Sequence, residues 1–326
     1  MNYFDPHTVI IHSKINVFVS KYYYLLLFLL NKYVLRKKIV VIDPWISMSW
    51  ARVEHNNWGD DINIFMLRKI TNNYLMPFQA YAYPQTSIGF RGISSYTIVS
   101  AIGSVLHLIK KQNTIIWGSG LINENLLPPV RPKKILAVRG PLTRNVLLSH
   151  GYDCPEVYGD PALLLPYVYT PKKNWKRYRL GIVPHYVDYY KDEVKKFNKD
   201  EDVLIINIFN YKKWTDVIDQ INNCEVVASS SLHGLIVAEA YNVPNIWVEI
   251  REPLIGDISR RFKYHDFFLS IGLDRDEPYK INMHTTKEDL LKQSLMYKKA
   301  PGLSLKPLIN VCPFDIENSL KSAICI

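Results

Sequence analysis

CEVVASSSLHGLIVAEAYNVPNIWVEI, residues 224–250, reads as strand, turn, helix and strand. Its first four residues are β-prone. Ser229, Ser230, Ser231 and His233 then interrupt an otherwise apolar run. Leu235, Ile236, Val237, Ala238, Ala240 and Tyr241 continue as a helix, with Asn242 as a C-cap and Pro244 as a stop. NIWVEI (245–250) is the next strand. Such a unit implies parallel strands joined by a right-handed crossover.

The same plan recurs on either side. KKIVVID (37–43) reads as a buried strand, and NNWGDDINIFMLRKIT (56–71) as a tight turn into a helix. That helix puts Ile62, Phe65, Met66 and Ile70 on roughly one face. YTIVSAIGSVLHLI (96–109) gives a strand, a Gly103-Ser104 turn and a helix; TIIWGSGL (114–121) is a strand ending in Gly-Ser-Gly. KILAVRGPLTRNVLLSHG (134–151) is strand, Arg139-Gly140 turn and a helix opened by Pro141 and closed by Gly151. EVYGDPALLLP (156–166) reads as a short strand. The polar, basic and aromatic YVYTPKKNWKRYR (167–179) is a linker, and LGIVPHYVD (180–188) and DVLIINI (202–208) are strands. Thr285 and Glu288 fit a capping box, and DIENSLKSAICI (315–326) a last helix. The expectation is an α/β protein of two Rossmann-like domains facing one another, residues 1–166 and 180–326, joined by the linker 167–179.

The chain has 326 residues, 48% hydrophobic and 21% charged, a globular composition. Its net charge of +10 favours an anionic partner. The basic residues form no aromatic-interleaved stripe, which argues against nucleic acid. Cys154, Cys224, Cys312 and Cys325 make neither a Cys-x-x-Cys pair nor a cluster of zinc spacing, so no metal site is expected and reduced thiols of a cytoplasmic enzyme are the plain reading. There is no Walker A sequence, and Gly118-Ser119-Gly120 lacks the third glycine of a dinucleotide fingerprint. YYYLLLFLLNKYVLRKK (22–38) carries an apolar core over 22–30, short of the ~20 residues that span a bilayer. Two readings stand for it: a peripheral helix on the inner face of the membrane, held by aromatics and basic residues, or a helix packed on its own domain.

In open α/β sheets ligands sit beyond the carboxyl ends of the strands. The polar turns fall there: Asn57-Trp58-Gly59-Asp60, Gly118-Ser119-Gly120, Arg139-Gly140, Gly159-Asp160, His185-Tyr186 and Ser229 to His233. Each has a plainer reading as a turn glycine, a paired arginine or a core histidine. Their shared placement makes a site. His233 lies in the first turn of its helix, where free N–H groups and the dipole attract anions. Ser231 is a natural N-cap beside Ser230, and Gly234 lets a ligand or a neighbouring backbone come close. The dipole lowers the histidine's pKa, and a bound phosphate or carboxylate restores its proton, making a general acid charged by the substrate.

Together AVRGPLTRNVLLSHGYDCPEVYGDPALLLP (137–166), GIVPHYVD (181–188), SSSLHGLIVAEAYNVP (229–244) and FKYHDFFLSIGL (262–273) resemble the polysaccharide pyruvyl transferases. The likeness runs from Asn56 to Leu273; the first and last fifty residues carry little of it. It implies a fold like that of GT-B glycosyltransferases and transfer of pyruvate from phosphoenolpyruvate onto two hydroxyls of a sugar. A cyclic ketal forms, phosphate leaves, and no cofactor or metal takes part. The implied acceptor is a polysaccharide or a lipid-linked oligosaccharide. Many members show Arg-Leu-His where this chain has Ser231-Leu232-His233. Arg139 best matches a family arginine, with Arg144 one helical turn further on, and arginine binds phosphate and carboxylate bidentately. His233 is the acid for the enol methylene. Asp60, Asp160 and Glu239 are candidates to orient or deprotonate the sugar hydroxyl, with Asp60 placed among the catalytic residues. Asp160 also reads as a cap fixing its turn. Asn57, Gly118, Gly120, His185, Ser230, Ser231 and Gly234 complete the expected binding set. The alternative is a GT-B-type glycosyltransferase whose cradle holds the diphosphate of a sugar nucleotide. A catalytically silent carbohydrate- or membrane-binding relative is a third reading.

Overall fold

The computed structural model describes residues 26–43, 57–77, 96–172, 178–250, 261–301 and 304–325. Residues 22–25, Asn56 and part of the expected linker, 173–177, lie outside the described residues.

The expected α/β class is observed as two parallel sheets of five strands each. The first contains β1 (Ile39–Asp43), β2 (Tyr74–Pro77), β3 (Ile98–Ser100), β4 (Thr114–Trp117) and β5 (Lys134–Ala137), in the order β2-β1-β3-β4-β5. The second contains β6 (Tyr178–Val183), β7 (Val203–Ile205), β8 (Cys224–Ser229), β9 (Asn245–Glu249) and β10 (Tyr279–Lys280), in the order β10-β9-β8-β6-β7. Counted from each sheet's own first strand, both orders are 2-1-3-4-5, a doubly wound order. The order reverses between the first and third strands. That point lies between β1 and β3 in one sheet, where Asp43 pairs with Ser100, and between β6 and β8 in the other, where Val183 pairs with Ser229. Strands covered on both faces are largely apolar, and β1, apolar up to Asp43, is buried at all five positions.

The helices of eight residues or more are α1 (Trp58–Ile70), α2 (Pro141–Ser149), α3 (Trp214–Asn222), α4 (Leu232–Ala240), α5 (Phe262–Ser270), α6 (Lys287–Ser294) and α7 (Asn318–Cys325). Several expectations shift. After Gly103, whose φ of 112° only glycine tolerates well, the chain makes a 3-10 turn at Leu106–Leu108 rather than a helix. The strand expected within 156–166 is a single bridge, Val138 to Tyr158, because Pro161 opens a helical turn at Pro161–Leu164. The capping box lies one residue later than expected, on Thr286 and Asp289. Asn242 sits just past α4 with φ 57°, the left-handed residue that ends a helix.

The two halves share one apolar core. Val40, Ile42, Trp58, Leu75 and Trp117 belong to the same cluster as Val183, Ile236 and Phe267. α1 packs against α3, and α2 against α5, so each half lends a helix to the other. Two hydrogen bonds tie down Trp58: its backbone N–H donates to Ile208 O at 2.8 Å and its indole to Trp214 O at 2.8 Å. The C-terminal segment returns to the first sheet. The Trp117 indole donates to Leu308 O at 2.9 Å, the Trp117 and Phe314 rings meet edge to face, and Thr71 bridges Ile316.

Candidate active site

The β6/β8 reversal builds the site. Beyond Val183 and Ser229 the chain enters the serine collar. Ser229 Oγ donates to Ser231 O at 2.7 Å, lies 3.1 Å from Val183 O, and accepts from Ser231 N–H at 3.1 Å. Ser230 Oγ accepts from His185 N–H at 2.9 Å, which ties the ends of β6 and β8 together. Ser231 occupies the N-cap position of α4 without a side-chain cap bond. Two of the three serines therefore hold the turn. Gly234 serves the neighbouring strand: a Cβ there would strike Ser229 Oγ and Val183.

His233 is the second residue of α4, is buried, and among the described residues its Nε2 has no hydrogen-bond partner. Its ring lies against Gly59, the second residue of α1, where an added Cβ would overlap the imidazole. The amino ends of two helices, one from each half, therefore meet at this histidine. Burial pushes its pKa down to about 3, and the positive charges of Lys263 and Arg139 push the same way. Burial, rather than the helix dipole, is the main cause of the lowering.

Asp60 is the third residue of α1 and directly follows Gly59. Asn57, the N-cap, accepts from Gly59 N–H at 3.2 Å and donates through Nδ2 to Asp60 at 2.9 Å. Burial raises the Asp60 pKa to about 6 against the lowering effects of the Asn57 bond and of Lys263. Lys263 was not among the residues picked from the sequence. It acts electrostatically on both Asp60 and His233, and its Nζ lies 5.1 Å from the centre of the Tyr264 ring.

Arg139 is fully buried behind these residues. Nε donates to Asp266 Oδ2 at 3.0 Å, Nη1 to Ser104 Oγ, and Nη2 to Leu121 O at 2.7 Å. Thr143 completes the pairing, donating to Asp266 through N–H at 2.8 Å and Oγ1 at 2.7 Å. The two halves are thus clasped by a buried ion pair, and the crossing is tight because Gly140 lies directly on the Asp266 backbone. Gly120 leaves room for the Arg139 guanidinium, and Gly118, at φ 95°, for Pro161. Asp160 caps the following turn, accepting from Ala162 N–H at 2.9 Å, and burial raises its pKa to about 6.

Two candidates, Arg144 and Glu239, point elsewhere. Arg144 Nε donates to Cys154 O at 3.2 Å. Glu239, on the far part of α4, is held by Asn245, Arg275 and Tyr297. His185 lies half-buried at the end of β6 with its ring against Tyr186. No group of three metal-ligating side chains occurs among the described residues. Two surface cavities, of about 510 and 440 Å³, belong to other parts of the second half and contain none of the candidate residues.

The arrangement can hold a small anion between two helix N-termini, with Lys263 and Arg139 supplying positive potential, one imidazole awaiting a proton and one carboxyl nearby. The family model described as polysaccharide pyruvyl transferase matches residues 22–251. It begins earlier than the likeness traced from the motifs and ends before 262–273, so the role of Lys263 rests on this chain's own geometry. Uncharacterized protein L143 of Acanthamoeba polyphaga mimivirus is 29% identical over 274 residues, 82% of this chain and 84% of that protein. The succinoglycan biosynthesis protein ExoV of Rhizobium meliloti (strain 1021) is 26% identical over 246 residues, 73% of this chain and 69% of that protein. No solved structure matches the chain.

Proposed function

This chain belongs to the polysaccharide pyruvyl transferase family and is a transferase, and from that premise we propose that it moves pyruvate from phosphoenolpyruvate onto two hydroxyls of one sugar as a cyclic ketal. The observation that carries the reading is His233: a buried imidazole, its Nε2 without a partner among the described residues, where two helix N-termini meet under the charges of Lys263 and Arg139. Cations and helix ends favour a dianionic donor. Burial, helped by the nearby cations, keeps the imidazole neutral; the donor's negative charge offsets that effect, and the histidine takes up a proton. His233 then delivers that proton to the enol methylene, which becomes the methyl group. C2 turns electrophilic and is attacked by the first hydroxyl, whose proton passes to a base. Asp60 is the base in this scheme. The second hydroxyl displaces phosphate, which leaves with the remaining proton. Charge development is met by fixed dipoles rather than by reorganising water.

The two-sheet arrangement is read as GT-B-like, with the donor held mainly by the second half and the sugar by the first. The acceptor is a polysaccharide unit, carried on a lipid at the inner face of the membrane. The test is to incubate the pure protein with phosphoenolpyruvate and a lipid-linked or synthetic galactoside. Phosphate release together with a product heavier by one pyruvate ketal supports the proposal. Release of a nucleoside diphosphate from a sugar nucleotide, with no reaction of phosphoenolpyruvate, replaces it with the glycosyltransferase reading. Inertness toward both leaves a binding protein.

A further inference from the structure

Residues 26–38 have two faces. One is packed on the first half: Phe28 is buried with Ile39, Val41, Tyr74, Met76 and Ile98, and meets Tyr96 edge to face at 5.8 Å. Asn31 is buried too, its Nδ2 donating to Leu27 O at 2.8 Å. Lys32 spans this contact, its Nζ 5.3 Å from the Phe28 ring centre and 5.4 Å from that of Tyr96. The segment is a fixed part of its domain.

The other face is bare. Leu26 is 66% exposed, Leu29 41%, Leu30 41%, Tyr33 64% and Val34 68%. Their spacing, i, i+3, i+4, i+7 and i+8, is a single helical stripe. The helix passes into a π-turn at Leu30–Val34, and Arg36, with φ 50°, reverses the chain toward β1. The exposed Arg36, Lys37 and Lys38 therefore stand at the end of the stripe, and no acidic residue lies anywhere in 26–38. Among the described residues Lys38 has one carboxylate neighbour, Asp315 at 3.5 Å. An apolar stripe of this kind is unusual on a surface facing water alone. Its basic flank rules out a cationic partner and complements an anionic one.

We propose that the outer face of residues 26–38 is a docking surface for an anionic phospholipid bilayer. The aliphatic and tyrosyl side chains enter the headgroup boundary, and the basic residues meet the lipid phosphates. Phe28 and Asn31 stay with the protein, so the segment docks without leaving its domain. No described helix is long and apolar enough to cross a bilayer, and the contact is interfacial.

The test is co-sedimentation of the full chain with vesicles of phosphatidylcholine alone and of phosphatidylcholine with phosphatidylglycerol. Binding to the anionic vesicles, weakened by salt and absent from the neutral ones, is expected. Leu30→Glu with Val34→Glu, and separately Arg36→Glu with Lys37→Glu, should each lower the partition coefficient at least about tenfold. These positions are exposed, so melting temperature and turnover on a soluble acceptor should hold, which separates docking from the transfer chemistry. If the glutamate pair lowers the melting temperature, Leu30→Ser with Val34→Ser carries the test. A wild-type protein that ignores anionic vesicles, or variants that bind as well as it does, overturns the proposal. So does light scattering that finds a wild-type dimer and a monomeric Leu30→Glu, Val34→Glu protein, since a second copy then covers the stripe.

Discussion

Gly59 and His233 touch across the junction of the two halves, so closely that a methyl group on Gly59 would overlap the imidazole. The position of the proposed acid is therefore set by a glycine far away in the chain. Gly59→Ala should cost about 1–3 kcal/mol of stability through overpacking. It should also displace His233 enough to lower turnover by about 100-fold. Unfolding temperature and single-turnover rate read both effects; an unchanged rate would show that the contact does not position the acid.

His233 is held near pKa 3 in the empty protein, so at neutral pH it is unprotonated before the donor arrives. Calorimetry of phosphoenolpyruvate binding in two buffers of different ionisation heat should report uptake of about one proton near pH 7. His233→Ala should abolish that uptake and reduce turnover by roughly two to four orders of magnitude. Proton uptake that persists in the variant assigns the acid to another group.

Asp60, raised to about 6 by burial, must be ionised to act as a base. The kcat/KM of the wild type should therefore fall as pH drops below about 6, and Asp60→Asn should remove that limb along with most of the rate. The stability effect has the opposite sense. A carboxyl whose pKa is raised on folding stabilises below its unfolded value of 3.8, and that contribution is lost as pH rises through about 6. Asp60→Asn should accordingly melt higher than wild type at pH 8 and close to it at pH 4. If the acid limb survives in Asp60→Asn, the base lies elsewhere, with Asp160 the next candidate.

Arg139 and Asp266 form the clasp, and removing one partner leaves a buried charge. Asp266→Asn should cost about 3–5 kcal/mol. Arg139→Lys keeps the charge but cannot reach Asp266, Ser104 and Leu121 together. It should lower both the melting temperature and the apparent donor affinity. A folded Arg139→Lys protein with normal affinity would remove Arg139 from donor binding altogether.

Turnover should survive exhaustive chelation, because the proposed mechanism meets the donor's charge with Lys263 and two helix ends rather than with a metal. Activity lost on chelation and restored by magnesium or manganese would move the balance to the sugar-nucleotide reading.

Patterns confined to a short window were legible. Alternating strands and helices, Pro141 opening α2, and the histidine in the first turn of α4 all follow from neighbours in sequence. The two-residue β10 is too brief for a periodic signal. β2 ends in a proline, which weighs against a strand when only the sequence is read. Contacts between distant residues left no trace. Arg139 sits at the end of a strand like a ligand-binding arginine, and its partner Asp266 comes 127 residues later in an aromatic helix that shows nothing of the pairing. Lys263 opens the same helix and looks like any solvated lysine. The nearness of Gly59 to His233 would have needed the packing of the halves, which no periodicity encodes.

The return of the C-terminal segment has a consequence for synthesis. Trp117, at the end of a central strand, donates to Leu308, and Leu308, Ile309, Phe314, Ile316 and Leu320 lie in the same apolar cluster as Val40, Ile42 and Leu75. A ribosome that has finished the first sheet has not yet made the residues that cover it. During translation of the 171 residues from Ala137 to Leu308 that surface waits uncovered, open to chaperones and to self-association. The first half of this protein cannot reach its final form until Leu308 to Leu320 have been made.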